Sequence, residues 1–226
     1  MDTKSPHITD LFKHFASVQQ DWLNCRNREA QNHVDGLLKQ LLSHYHTESE
    51  VSILQQALLD PYFPLGMLQR TIFADVVGMR FYINKHRPDL EPVLAVELVE
   101  WAAAFLRIRL DIQSFFDPKT ITCIPVDGRR HHLPSDQWCT LCGVCCQIGG
   151  VPPDPPQDVR YPDHWYTFLA GEKVDNQQLC PFLFQYFGKQ RFFCAIHNVK
   201  PIACRQFDQE ECHQRLVERN LHDYGH

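Results

Sequence analysis

The chain has 226 residues, of which 44% are hydrophobic and 22% charged, an ordinary globular composition that excludes a fibrous or disordered protein. That length gives room for one large domain or two small ones. The formal net charge of -5 gives no electrostatic basis for a polyanion partner, because non-specific nucleic-acid binding comes mainly from neutralising phosphates.

The amino-terminal stretch MDTKSPHITDLFKHF mixes acidic, basic and imidazole groups, where a secretory signal needs an apolar run of about 7–15 residues. No segment reaches the roughly 20 apolar residues of a spanning helix. The expectation is therefore a cytoplasmic chain with no membrane partner, whose thiols are reduced. The first half then reads as helices. Leu11, Phe15, Val18, Trp22 and Cys25, followed by Val34, Leu37, Leu38, Leu41, Leu42 and Tyr45, recur at the spacing that lines one helical face. Thr47 and Glu50 form a capping-box start for the apolar run after them,. Asp60-Pro61 stops that helix, another is predicted from Leu65 to Phe81, and a long one from Asp89 to Phe116 ends at Asp117-Pro118,. Residues 1–118 are thus expected to form a helical bundle of four or five helices.

The composition changes near Pro118. Ten of the fifteen prolines lie from Pro118 onward, and nine of the ten cysteines follow it, leaving only Cys25 before. The basic cluster GRRHH, Gly128 to His132, is short and reads as a solvated turn, so no nucleic-acid partner is expected. The Pro-rich stretch from Gly149 to Trp165 reads as loop,. Two aromatic runs flanking Gly188-Lys189 predict a small hairpin, and the residues from Asp208 to His222 a short polar C-terminal helix. Residues 119–226 are therefore expected to form a loop-rich module with a thin core, held by something besides apolar burial.

The stretch CTLCGVCC, Cys139 to Cys146, places four thiols in eight residues. A disulfide framework would need an oxidising compartment, and a vicinal Cys145-Cys146 pair is strained. A redox CxxC at Cys139 and Cys142 lacks the surrounding βαβ alternation. Metal coordination accounts for the density directly, because several soft thiolates must converge on one centre. Cys139, Cys142 and Cys145 follow C-x2-C-x2-C, the spacing by which a ferredoxin loop wraps a 4Fe–4S cluster, with a remote fourth thiolate often followed by proline. Cys180 precedes Pro181, so Cys139, Cys142, Cys145 and Cys180 are the candidate cluster ligands. Zinc is the alternative, although its usual second knuckle is missing: Cys180, Cys194, Cys204 and Cys212 stand singly, with thirteen, nine and seven residues between neighbours,. Because successive side chains diverge, Cys146 is expected to be free for a second centre or for an intervening role, and the thiol count fits two sites as well as one. His197, three residues after Cys194, could be a ligand or a plain buried imidazole, and Cys123 reads as a buried strand thiol.

CTLCGVCC, then LCPFL, then CAIHNVKPIACRQF resembles the CxxCxxCC cysteine-cluster family, a zinc- or iron-chelating domain. The match runs from about Cys139 to Phe207, with Gly143, Pro181, Leu183, Ile196, Pro201, Arg205 and Phe207 at the family's flanking positions. Lys200 stands where the family carries Arg, which keeps the charge and loses the bidentate fork. The resemblance implies that Cys139, Cys142, Cys145, Cys146, Cys180, Cys194 and Cys204 form the metal-binding set, leaving Cys25, Cys123 and Cys212 outside.

The fold class expected is mainly α, a helical bundle followed by a metal-stabilised cysteine module with a small hairpin. The function expected is metal binding, with an iron–sulfur cluster in a structural, sensory or maturation role and a protein partner on the helical half. A redox or group-transfer enzyme using the cluster, and a zinc-stabilised interaction module, are the alternatives. Absence of a C-x3-C-x2-C motif, a glycine-rich phosphate loop and an H-E-x-x-H helix favours the binding role,.

Overall fold

The structure is a computed structural model, described for residues 7–25, 27–71, 90–115, 141–174 and 177–205, and for 210, 211, 214, 215 and 217. Among these residues the fold is mainly helical, with one two-stranded sheet. Two compact units divide the chain: Met1–Arg107 with Phe184–Gln190, and Ile108–Leu183 with Arg191–His226. The boundary expected at Pro118 lies outside the described residues.

In the first unit, helix α1 (Ile8–Cys25) packs on α2 (Arg28–Leu42) and on the short α4 (Leu65–Arg70), and α2 meets α3 (Glu48–Leu59). The caps follow from sequence. Asn27 accepts the Ala30 amide at 2.7 Å, and Thr47 and Glu50 close the predicted capping box, with amide contacts of 3.2 and 3.1 Å. Both satisfy amides that a helix start leaves without an internal acceptor. On α2 the buried residues are Val34, Leu37, Leu38 and Leu41, matching the predicted face.

The face of α1 is rotated from expectation. Ile8, Leu11, Phe12, Phe15 and Ala16 are buried, while Val18 and Trp22 are only half-buried. Gln19 takes the inward position and donates to the Leu58 carbonyl at 2.5 Å, so a polar group inside the unit has its partner. Of the helix expected from Leu65 to Phe81, Leu65–Arg70 is helical, with the Thr71 hydroxyl and amide both bonding the Met67 carbonyl at 2.9 and 3.0 Å, and residues 72–81 lie outside the described residues.

Helix α5 (Leu90–Phe115) lies within the predicted long helix, whose end residues Asp89 and Phe116 are outside the described residues, and residues Leu90–Arg107 of it belong to this unit. Its Phe105 ring lies 5.0 Å from Phe63 and 4.9 Å from Phe184, an aromatic arrangement that adds to area burial.

The second unit contains a 3-10 turn at Val144–Cys146, helix α6 (Asp163–Ala170) and the short helix α7 (Ile202–Arg205). The chain's two-stranded sheet, β1 (Leu183–Gln185) with β2 (Phe192–Cys194), is the hairpin that the aromatic runs around Gly188 predict, and of β1 Phe184 and Gln185 are counted in the first unit. Positions 210, 211, 214, 215 and 217 are helical, which agrees with the expected terminal helix at those positions; the rest of that segment lies outside the described residues.

The stretch read as loop through Trp165 is helical from Asp163. Pro162 stands at its N-cap without a side-chain cap, and Gly171, with φ 82°, ends it in the left-handed region, the usual glycine stop of a helix. The module's core is also more substantial than expected. Tyr161, Trp165, Phe182 and Phe192 are almost wholly buried, with Trp165 centred 4.9 Å from Phe182 and 5.6 Å from Tyr161. Each such side chain contributes about 1.5–3 kcal/mol on full burial.

Candidate metal centre

Four backbone constraints bring the cysteine-bearing segments together. Leu141, with φ 56°, and Gly143, with φ 76°, flank Cys142 in left-handed conformations. A Cβ opposes that conformation except in glycine, so Gly143 is the residue suited to this turn. The chain then enters the 3-10 turn, closed by the Cys146 amide on the Gly143 carbonyl at 3.0 Å. The Cys180 amide donates to the Cys146 carbonyl at 2.8 Å, and the Phe192 amide to the Leu141 carbonyl at 2.6 Å. The Ala195 amide bonds the Phe182 carbonyl at 2.8 Å. Segments 141–147, 180–183 and 192–195 are thereby laced into one framework, and Cys180 and Cys194 are carried to Cys146.

The side chains continue this convergence. Cys146 and Cys180 are buried, Cys142, Cys194 and Cys204 are half-buried, and Cys145 is exposed. The Cys146 thiol is in hydrogen-bonding reach of Cys145, Cys180 and Cys194, and this sharing together with burial holds it well above the ordinary thiol range. The hydrogen bond from Cys146, aided by the charges of Lys200 and Arg215, brings Cys145 down to about 7. Cys194 is also lowered, first by Cys146 and then by a backbone bond at Ile196. Burial raises Cys204 to about 12, with the neighbouring Cys180 and Cys194 acting in the same sense. The titration of Cys146 is thus linked to that of Cys145, Cys180 and Cys194, while Cys204 responds to the charge of Cys180, Cys194 and Cys145. On this turn Cys145 is exposed and Cys146 buried.

A second loop closes on the same region. The Ile202 amide bonds the Asp154 carbonyl at 3.0 Å, the Tyr161 hydroxyl donates to the Val199 carbonyl, and the Arg205 Nε–H donates to the Lys200 carbonyl at 3.2 Å. These contacts fix the stretch from Cys194 to Cys204. Beside it, the Asp111 carboxylate receives both the His164 ring nitrogen and the Trp165 indole N–H, the latter at 3.0 Å.

Of the predicted ligands, Cys145, Cys146, Cys180 and Cys194 are brought together around Cys146, with Cys204 electrostatically coupled to them. Cys142 lies on the same turn without a resolved thiol contact. Cys139, Cys123 and Cys212 lie outside the described residues, and for Cys25 only its place at the end of α1 is described. Among the described residues, no group of three or more His, Cys, Asp or Glu is placed so that it could hold a metal ion. Thiolates are the donors that a soft metal takes, and they bind it in place of their protons. Asp111, Tyr161 and Trp165 were not singled out as positioning residues from sequence. The signal available was the helical spacing of Tyr161, Trp165, Phe168 and Leu169, hidden behind a proline-rich stretch.

No family model, curated protein or solved structure matches the chain.

Proposed function

We propose that the protein is a metal-binding protein whose second unit holds a soft metal centre on Cys145, Cys146, Cys180 and Cys194, with Cys139, Cys142 and Cys204 as further donors. What supports the reading is the meeting of thiols from three separate chain segments on Cys146. Such a cluster of reduced thiols is liable to oxidation and gains folding free energy when a cation replaces its protons.

An iron–sulfur cluster is the leading assignment, on the C-x2-C-x2-C spacing with the remote Cys180-Pro181,; zinc is the alternative. The resemblance to the cysteine-cluster family points to the same donors. The role proposed is structural, sensory or maturational, with a protein partner on the helical unit, where Val93 and Val96 are exposed one turn apart on α5.

Anaerobic purification followed by iron, zinc and sulfide analysis with an absorption spectrum tests this. About one or more equivalents of metal is expected. Less than about a tenth of an equivalent, with failed reconstitution, would overturn the reading. Iron with matching sulfide selects the cluster, and zinc without sulfide selects the alternative.

A further inference from the structure

Cys146 and Cys180 come from separate stretches of the second unit and are joined through their main chains, the Cys180 amide donating to the Cys146 carbonyl at 2.8 Å. With ordinary covalent dimensions, a bond of that length leaves the two Cα atoms no more than about 6.7 Å apart, whatever its angles. A disulfide spans Cα separations of about 4.4–6.8 Å. Backbone geometry alone therefore puts the pair within bridging distance. Both partners are also fixed. The Cys146 amide bonds the Gly143 carbonyl at 3.0 Å, and the Cys180 carbonyl accepts the Leu183 amide at 3.0 Å, so closing a bridge asks for side-chain rotation and little main-chain movement.

Both residues are buried with free thiols, and those thiols are within hydrogen-bonding reach of each other. The neighbouring cysteines are less suited to Cys146. Cys145 is adjacent in the chain, where Cα atoms stand about 3.8 Å apart, closer than a disulfide prefers. Beside Cys194, the framework bond runs from the Ala195 amide to the Phe182 carbonyl and not to a cysteine.

We propose that Cys146 and Cys180 form a reversible redox pair, closing to a disulfide when hydrogen peroxide oxidises them and reopening with a dithiol. One sulfur attacks a peroxide oxygen and becomes a sulfenic acid, and the other oxygen leaves as water. The second sulfur then displaces the hydroxyl, which leaves as a second water, so the two thiol protons depart in the waters and the pair gives two electrons to the peroxide. Closed, the bridge ties the cysteine turn to the segment leading into β1 around helix α6, which restricts opening of this part of the unit. The proposal does not rest on the metal-binding reading. It bears on that reading at one point, because a disulfide has no thiolate to offer and the oxidised form lacks two of the proposed donors.

The test uses the full chain, reduced and stripped of metal, treated under native conditions with hydrogen peroxide, then alkylated in denaturant and digested without reduction. The expected result is a cross-linked peptide pair whose fragmentation places the bridge between Cys146 and Cys180. Alkylated Cys180 should fall at least about tenfold and return in full after dithiothreitol. Cys146→Ser and Cys180→Ser should each abolish the cross-link. Cys146 bridged to Cys145 or Cys194 instead, Cys180 still fully alkylated, or irreversible sulfinic acid in place of a bridge would overturn the proposal. The wild-type peptide map alone decides the matter should a variant fold poorly. Because the reaction is run without metal, its failure leaves the metal-binding reading standing, and a failure to bind iron or zinc leaves the redox pair standing.

Discussion

Trp165 joins the aromatic core of the second unit to a polar anchor, and two substitutions separate those contributions. The side chain is fully buried, packs on Phe182 at 4.9 Å and donates to Asp111 at 3.0 Å. Trp165→Phe keeps most of the ring volume and loses the indole N–H, a bond to a charged acceptor worth about 1.5–3 kcal/mol. Trp165→Ala also opens a cavity, for a total of about 3–5 kcal/mol. The readout is the alkylation rate of Cys146 and Cys180 in the full, metal-stripped chain, because both thiols are buried and react through opening of the unit,. At about 1.4 kcal/mol per tenfold change, the phenylalanine variant should label about 10–100 times faster than wild type, and the alanine variant about 100–1,000 times faster or more. Equal rates in wild type and Trp165→Ala would refute the claim that this core holds the cysteine framework closed.

Replacing Cys146 with Ser should abolish most metal retention, since three other thiols meet on it, whereas Cys25→Ser should leave metal content unchanged; inductively coupled plasma analysis of anaerobic protein checks both, and full metal in Cys146→Ser would contradict the site. Chelation should make segments within 141–205 sensitive to limited proteolysis while a fragment containing residues 8–70 persists, because the helices have their own apolar faces,; equal protection of both would show that ligation adds nothing to folding. Glu50 is held below the ordinary carboxylate range by its side-chain and backbone bonds with Thr47. A depressed folded value means that its stabilising contribution is present above the unfolded carboxylate value and is lost as pH falls through the folded one. Glu50→Gln should therefore flatten part of the acid-side decline in urea stability, and an unchanged pH profile would argue against the cap's electrostatic role.

Features written in short-range chemistry were legible before any coordinates. The Thr47–Glu50 box, the α2 face and the hairpin around Gly188 each depend on residues within a few positions of one another, where spacing and turn preference carry the signal. The rotated face of α1 was less accessible, because Gln19 is inward only through its bond to Leu58, thirty-nine residues away. Helix α6 was hidden by the prolines before it, although its stop at Gly171 follows the ordinary rule,. At the candidate site, sequence order supplied the cysteines and the structure supplied their hub. That Cys146 occupies the middle depends on Cys180 and Phe192 reaching back to this loop by backbone bonds, which no local pattern encodes. Cys139, needed to complete the predicted ferredoxin-like loop, lies outside the described residues.

The two glycines after the cysteine turn meet the end of α6 backbone against backbone. A Cβ at Gly150 would lie 2.3 Å from the Ala170 carbonyl oxygen, and one at Gly171 would lie 2.1 Å from that of Gly149. Neither gap is filled by a movable side chain, so neither position can change alone without shifting main chain, and Gly171 also needs its left-handed conformation,. In evolutionary terms the two sites form a linked character. A homologue that keeps the Cys145-Cys146 turn at this depth should keep glycine at both, and one that loses one should have rebuilt the whole crossing. Glycine at both positions is thus a requirement of this crossing that sequences sharing the fold should meet, whatever the spacing of their cysteines,.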